Sequence, residues 1–353
     1  MPPVPVGVAS VQQRNFPVYL TGLGSVQAFN TVALKTRIDG QITKVNFVEG
    51  QEVKQGELLI QIDPRPYEVA FATAQANLQR DEAQLKNAQV QYERLKALYA
   101  GGVIAKQDLD AQQASFGQYE GTIAADKAAI DNAKLNLTYT RITSPINGRI
   151  GLRQVDIGNY VQASATTPMA VITQMHPIAI VFTLPEDQLQ AVRQRMKQGA
   201  LNVDVYSRDD QTKLSTGKLL TIDNQIDQTT GTARFKAVFE NPDNNLWPNQ
   251  FVNVHLLLET RKDALTIPTS AVQRGPQGTF TYLVDDKNTV KVQPIEVALT
   301  QGNTAVVASG LQAGERVVTD GQEKLQAGSQ VVPQAPVNQS KTGLVAEGVG
   351  PHA

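Results

Sequence analysis

Residues 64–138 carry an apolar pattern that constrains the fold of this chain more than any other stretch. In both halves of the segment, apolar side chains recur in alternating steps of three and four residues, as in the seam between two packed α-helices. The pattern breaks at Gly101 and Gly102, a pair that favours a chain reversal. The larger seam side chains are Phe71, Leu78, Leu85 and Tyr92 in the first half and Phe116, Ile123, Ile130 and Leu137 in the second. The sequence therefore predicts a long antiparallel helical hairpin.

One register brings all of these positions together. Phe71 then faces Leu137 and Tyr92 faces Phe116, and the residue numbers of each facing pair add up to 207 or 208. Each arm of about 30 residues would be roughly 45–50 Å long at about 1.5 Å per residue. A hairpin of that length cannot lie inside a globular domain, so we expect it to project.

The same register places two carboxylates, Asp81 and Asp126, in one layer of the seam. Two acids facing each other in a dry interior would raise one another's pKa. A catalytic carboxylate pair needs a substrate cleft, and a two-helix hairpin offers none. We therefore expect both side chains to lean towards solvent or to face a neighbouring hairpin.

Composition and motifs exclude several classes of function. The 353 residues suggest about two to four domains. There is no cysteine, which rules out disulfides, thiolate metal sites and cysteine nucleophiles. The three histidines, His176, His255 and His352, are far apart in sequence, so we predict no metal site. A net charge of −1 with scattered basic residues does not favour nucleic-acid binding. Without a phosphate loop or a nucleophile elbow, we expect neither an enzyme nor a cofactor.

An internal repeat flanks the hairpin. Residues 38–42 (IDGQI) match residues 146–150 (INGRI), and each copy continues to a second glycine with the same offset of 108 residues. The turn glycines of the two copies are Gly40, Gly50, Gly148 and Gly158. Two half-motifs of this kind predict a single β-domain with the hairpin inserted between its halves.

The repeat carries a family resemblance. Residues 40–59 (GQITKVNFVEGQEVKQGELL) resemble a lipoyl/biotinyl half-motif, although the helical insertion replaces the turn that would bear a modified lysine. A lipoyl motif split by a helical hairpin resembles the periplasmic adaptor proteins, or membrane fusion proteins, of resistance–nodulation–division (RND) multidrug efflux pumps. Residues 182–186 (FTLPE), 223–232 (DNQIDQTTGT) and 248–253 (PNQFVN) are most similar to the MdtA-type branch of that family.

The resemblance implies a multidomain α+β protein whose β-domains alternate with the hairpin. The expected domains are a membrane-proximal β-domain (4–31 with 264–333), a lipoyl/biotinyl-like domain (32–63 with 139–175), the coiled-coil hairpin (64–138), a β-barrel (176–263) and a disordered tail (334–353). The alternating strands of residues 176–263, interrupted by one short helix, independently favour the barrel.

The resemblance also assigns a role to the hairpin tip. Adaptors of RND pumps carry an Arg-x3-Leu-x6-Ser signature there, and this chain has Arg94, Leu98 and Ala105 at those positions. A leucine can fill a groove between partner helices, while an arginine donates several hydrogen bonds. The alternative is that Leu98 only covers the end of the hairpin core and Arg94 is solvated. Ala105 lacks the hydroxyl of the usual serine.

The function implied by the resemblance is mechanical. The hairpin tip would meet an outer-membrane channel, and the β-domains would contact a proton-driven inner-membrane RND transporter, built in the MdtA-type branch from two different subunits. Six copies would pack side by side in the pump. The chain has no signal peptide or membrane span, so we expect that its N-terminal anchor or signal has been removed and that the protein is periplasmic, tethered to the inner membrane.

Two alternatives to the RND assignment stay open from the sequence. Adaptors of ATP-driven (ABC-type) exporters also carry split lipoyl motifs, and the co-purifying transporter would distinguish them. A lipoyl or biotin carrier subunit of an enzyme is the more remote alternative, and a cofactor's added mass would reveal it.

Overall fold

The computed structural model describes residues 3–276 and 278–334. Apart from Gln334, the predicted disordered tail lies outside the described residues, and so does His352. The chain divides into two compact units. We call them the hairpin unit (Gly24–Val181 and Lys236–Val252) and the barrel unit (the described residues up to Leu23, Phe182–Phe235 and the described residues from Asn253 onwards).

Strands account for most elements of the described chain. The helices are α1 (Arg65–Ala100), α2 (Lys106–Tyr139) and α3 (Leu189–Met196), with 3-10 turns at Glu186–Gln188, Thr269–Ala271 and Gln322–Lys324. The strands are β1 (Val4–Ser10), β2 (Gln12–Ala28), β3 (Thr31–Leu34), β4 (Gly40–Val45), β5 (Glu52–Val53), β6 (Leu58–Ile62), β7 (Arg141–Thr143), β8 (Gly148–Ile150), β9 (Tyr160–Val161), β10 (Ala170–Thr173), β11 (Ile178–Pro185), β12 (Asn202–Tyr206), β13 (Lys213–Asp227), β14 (Thr232–Phe239), β15 (Phe251–Pro268), β16 (Gln273–Gly275), β17 (Gly278–Val284), β18 (Val290–Pro294), β19 (Glu296–Gln301), β20 (Thr304–Ser309), β21 (Arg316–Asp320) and β22 (Val331–Gln334).

In the hairpin unit, the two half-motifs interlock in two four-stranded sheets, with strand orders β3-β10-β8-β5 and β7-β6-β4-β9. β5 of the first half pairs with β8 of the second, and β9 of the second pairs with β4 of the first. The sheets share one apolar core, whose fully buried members include Ile42, Leu59, Ile60, Ile62, Ile150 and Ile172. Neither half can bury its apolar residues alone, which explains the repeat in the sequence.

The repeated glycines meet two different structural needs, one at each position of the repeat. At Gly148 a Cβ atom would lie 2.5 Å from a backbone oxygen of β10, and at Gly40 it would lie 2.5 Å from a side chain of β6. The second glycines have left-handed backbones, with φ of +79° at Gly50 and +93° at Gly158. Close approach and positive φ both favour glycine, so each position tolerates little else.

The barrel unit contains most residues of a sheet with the strand order β12-β13-β14-β11-β2-β15-β20-β19. An additional pairing of β12 with β15 closes the first six strands of this sheet into a barrel. Val203 of β12 lies opposite Leu256 of β15 in this closing ladder. A second sheet has the order β16-β17-β21-β1-β22, with β18 paired to β17. Its core contains Val6, Val290 and Val318.

β2 differs from the sequence-based grouping. We expected all of residues 4–31 to join residues 264–333, and β1 does pair with β21 and β22 of that segment. β2, however, lies between β11 and β15 in the barrel sheet. Its alternation of apolar and polar residues shows which face is buried but not which strands its backbone pairs with, so the sequence could not make this distinction.

We expect Gly148→Ala to lower the free energy of unfolding of the hairpin unit by about 1–3 kcal/mol, because the new methyl group would collide with the Thr173 backbone. The same change at Gly117, which lies on α2 with open space around it, should stabilise by about 0.5–1 kcal/mol. Thermal and urea unfolding of both variants would measure this. Equal effects at the two positions would contradict the close strand contact.

Candidate functional site

The candidate site is the end of the helical pair in the hairpin unit. α1 has 36 residues and α2 has 34, so each is about 50 Å long. The two helices pack against each other, with the Tyr92 and Phe116 rings stacked at 5.9 Å between centroids. Gln112 also donates a hydrogen bond of 3.2 Å to the Ala88 carbonyl on the opposite helix.

The seam residues predicted from the sequence lie on the less exposed face of each helix. Ile123 is buried, and the other large seam side chains are half-buried, namely Phe71, Leu78, Leu85, Tyr92, Phe116, Ile130 and Leu137. Two helices alone cannot enclose a side chain on all sides, so partial burial is the limit for most layers.

The chain reverses over a short glycine turn. Gly101 ends α1, and Gly102 has a φ of +71°, in the left-handed region. The Val103 amide donates a hydrogen bond of 3.0 Å to the Leu98 carbonyl, which satisfies one of the free carbonyls at the end of α1. This turn places residues 94–105 together at one end of the helical pair.

The tip surface consists of Arg94, Leu98, Tyr99 and Val103. Leu98 is 38% exposed, Tyr99 41% and Val103 70%, and Arg94 is also exposed. Because Arg94 and Leu98 are four residues apart on α1, they lie on the same side of the helix. A cluster of exposed apolar side chains beside a cation is typical of a protein interaction surface.

Two members of the tip surface were not identified as docking residues in the sequence. Tyr99 fits the seam pattern, but it is 41% exposed. Val103 lies in the turn itself, where an apolar residue has no packing role in the hairpin. An apolar residue beside a Gly-Gly reversal was the signal available in the sequence.

Ala105 is the N-cap residue of α2. Its φ of −74° and ψ of 150° are those of a capping position, but no side chain caps the helix there. The serine that is usual at this position in the family resemblance would accept a hydrogen bond from an amide of the first turn. Because the Ala105 side chain cannot cap the helix, the first turn of α2 is less stable than it would be with serine at this position. The residue spacing alone did not reveal that Ala105 is the N-cap.

The expectation that Asp81 leans towards solvent is wrong. Asp81 is 5% exposed, because the Arg80 guanidinium folds over it with hydrogen bonds of 2.7 and 3.0 Å to its two oxygens. These bonds hold the pKa of Asp81 below its ordinary value. Asp126 is half-buried, and its Oδ2 atom has no hydrogen-bond partner among the described residues. Desolvation and the nearby Asp81 charge raise the pKa of Asp126.

The titratable groups elsewhere in the described chain do not form a metal-binding cluster. Within residues 3–276 and 278–334, no group of three or more His, Asp or Glu side chains is arranged to hold a metal ion. His255 pairs with Asp210 at 3.0 Å and lies 4.5 Å from the Tyr206 ring, so it is part of the barrel wall.

Family models match most of the chain. An RND MFP (membrane fusion protein) barrel-sandwich hybrid domain matches residues 30–173, an RND MFP β-barrel domain matches residues 177–260, and an RND MFP C-terminal permuted SH3 domain matches residues 263–324. The chain belongs to the RND membrane fusion protein family. The hairpin unit thus includes the region matched by the barrel-sandwich model of that family.

Relatives and solved structures agree with this assignment. The multidrug resistance protein MdtA of Cronobacter turicensis is 47% identical over 330 residues, which cover 93% of this chain and 80% of the relative. MdtA of Yersinia enterocolitica is 46% identical over 336 residues, which cover 94% of this chain and 76% of the relative. These matches confirm the resemblance to MdtA-type membrane fusion proteins.

Among solved structures, a MacA–MexA chimera containing the Pseudomonas aeruginosa MexA α-hairpin domain has a TM-score of 0.58 and 28% identity, covering 88% of this chain and 99% of the chimera. MacA from Actinobacillus actinomycetemcomitans, with a TM-score of 0.57, is 23% identical and shows a shared fold. Within the described residues of this membrane fusion protein, we find no helix with the length and apolar character to cross a membrane.

The N-cap assignment predicts opposite effects for one substitution at two positions of α2. Ala105→Ser should stabilise the first turn by about 1 kcal/mol by capping it, and so slow amide hydrogen exchange there about fivefold. Ala114→Ser, at an exposed interior position of the same helix, should destabilise the helix slightly because serine is a poorer helix former. Faster exchange in Ala105→Ser would contradict the capping geometry.

The carboxylate layer predicts that Asp126→Asn raises the melting temperature at neutral pH. The raised pKa of Asp126 means that the folded state prefers its neutral form, so its ionisation destabilises the fold as pH rises above the acid range. The advantage of the variant should therefore shrink as pH falls and the parent's Asp126 takes up a proton. Melting curves across the acid and neutral ranges test this.

Asp131→Asn is the matched control for the carboxylate layer, because Asp131 is exposed on the same helix. It should leave the melting temperature at neutral pH near the parent value. If Asp126→Asn lowered the melting temperature at neutral pH, the charge of Asp126 would be stabilising and our account of the layer would be incorrect.

Proposed function

We infer that this chain is the periplasmic adaptor subunit of a tripartite RND multidrug efflux pump, bridging a proton-driven inner-membrane transporter to an outer-membrane channel. The observation that carries this function is the tip surface, which presents exposed apolar side chains at the end of two helices about 50 Å long. Family membership and the names of the MdtA relatives support multidrug efflux as the process. Neither the ABC-exporter nor the carrier alternative is favoured by these comparisons.

Docking at the tip would rest on Leu98, with Tyr99 and Val103 extending the apolar contact. Such side chains gain free energy only when a partner covers them, since the hairpin leaves them in water. Arg94 would add directional hydrogen bonds to carbonyl or carboxylate oxygens of the partner. Ala105 contributes no hydrogen bond of its own, so apolar contact carries more of the docking free energy here than with a serine at that position.

The domain division inferred from the sequence is retained as part of the proposal, except that β2 is assigned to the β-barrel. The ranges of the three family models, 30–173, 177–260 and 263–324, support separate lipoyl-like, barrel and membrane-proximal domains. In the assembled pump, the two β-domains would contact an RND transporter made of two different subunits, and six copies of this chain would surround the transport path. In this proposal the adaptor is tethered to the inner membrane.

In vivo photo-crosslinking tests the proposed partners directly, with a membrane anchor fused to the chain. A probe at Leu98 should capture an outer-membrane channel, and a probe at the exposed Gln225 of β13 should capture an RND transporter. A probe at Val69, which is exposed near the other end of α1, is the control and should not capture the channel. Capture of an ABC transporter at Gln225, or of no envelope protein at either site, would overturn the proposal.

The same surface predicts a loss of function on a single charge substitution. Leu98→Asp should weaken channel docking by roughly 30-fold or more, because it removes a central apolar contact and places a charge in the interface. Drug resistance of cells that depend on this adaptor should fall accordingly. Val69→Asp, an equally drastic change on the same helix, should leave resistance near the parent level. Equal loss in both variants would show that tip docking is not the cause.

A further inference from the structure

A cavity of about 380 Å³ opens on the hairpin unit beside the pairing of β5 with β8, far along the chain from the hairpin tip. Its volume is within the usual range for small-ligand pockets, about 300–1,000 Å³. Val53 and Met175, both almost completely buried, are among its lining residues. Gly148 adds bare backbone, because the close approach of β10 excludes a side chain there. The cavity therefore has an apolar surface that a flat hydrocarbon body could contact.

Two oppositely charged residues, Glu52 and Arg149, line the cavity without pairing with each other. Glu52 and Arg149 lie directly opposite in the antiparallel pairing, where opposite charges usually form a cross-strand contact. Each of these two side chains instead contacts another residue. Glu52 lies 3.6 Å from His176 Nε2, and the Arg149 guanidinium lies over the Trp247 ring, 5.0 Å from its centroid. The described residues contain no ion pair between Glu52 and Arg149 within 4.0 Å, and both residues line the cavity.

The position of the Arg149 guanidinium favours the binding of an anion. Stacking on Trp247 fixes the plane of the guanidinium while leaving its in-plane N–H groups able to donate. Lys54 lines the same cavity and adds a second positive charge. Arg149 and Lys54 thus bring two positive charges to the cavity against the single carboxylate of Glu52. A planar oxyanion is the group that an arginine fork binds best.

We propose that this cavity binds an amphipathic organic anion, with the sulfonate or carboxylate at Arg149 and an aromatic or alicyclic body against Val53 and Met175. The site does not include the tip surface and would give the adaptor a small-molecule ligand of its own. Binding would not break an ion pair between Glu52 and Arg149, so little reorganisation is needed.

Trp247 is the only tryptophan of the chain, so its indole N–H gives one signal that reports on the neighbouring guanidinium. The full chain is titrated with 2-naphthalenesulfonate and, separately, with the neutral 2-naphthalenemethanol, while this signal is followed by proton–nitrogen NMR. The sulfonate should shift the signal in a saturable way. The neutral alcohol should bind about tenfold more weakly or worse, because it lacks the charge that Arg149 recognises.

Arg149→Gln should weaken sulfonate binding about tenfold or more. Arg141→Gln, which changes an exposed arginine of the same unit outside the cavity, is the matched control and should bind as the parent does. If Arg149→Gln does not fold by thermal melting, Lys54→Gln should still weaken binding several-fold. The proposal is overturned if the signal does not saturate, if sulfonate and alcohol bind equally, or if both arginine variants lose affinity alike. None of these results bears on channel docking, which the crosslinking experiment measures separately.

Discussion

The pairing of β6 with β7 is the constraint on which the rest of the hairpin unit depends. These strands lie on either side of the helical insertion, and adjacent strands are only about 4.8 Å apart. At the junction the Ile62 amide donates a hydrogen bond of 2.9 Å to the Thr140 carbonyl, and Tyr67 of α1 donates its hydroxyl to the Asp39 carbonyl at 2.6 Å. The start of α1 and the end of α2 must therefore lie side by side. The antiparallel arrangement of the helices is therefore imposed by the pairing of the two sheets' strands as well as by the seam between the helices.

The hairpin is held by a narrow seam, and its outer end is therefore shaped more by turn geometry than by packing. Most seam layers are half-buried, and one contains Asp81 with its Arg80 partner in place of an apolar pair. At the tip, Leu98 and Val103 lie outside the seam and are exposed. The same shortage of covering atoms that limits stability at this end leaves apolar surface for a partner.

Much of this architecture could be predicted from periodicity and repetition. The register of the seam follows from side-chain spacing, because helical periodicity determines which residues share a face. The 108-residue offset of the half-motifs likewise indicated one domain with an insertion. The pairing of β2 with β11 and β15 could not be predicted in this way, since a strand's backbone hydrogen bonds carry no side-chain signature.

Residue spacing was enough to predict the two helices, their pairing and the glycines of the half-motifs, because each depends on local periodicity or on a backbone conformation that few residues adopt. Three other features became visible only in the folded chain: Arg80 covers Asp81, Ala105 is an N-cap, and Arg149 contacts Trp247 and not Glu52. In each case a long side chain or a helix end has several possible partners nearby. Which partner it contacts depends on distances between segments remote in sequence, which residue spacing does not contain.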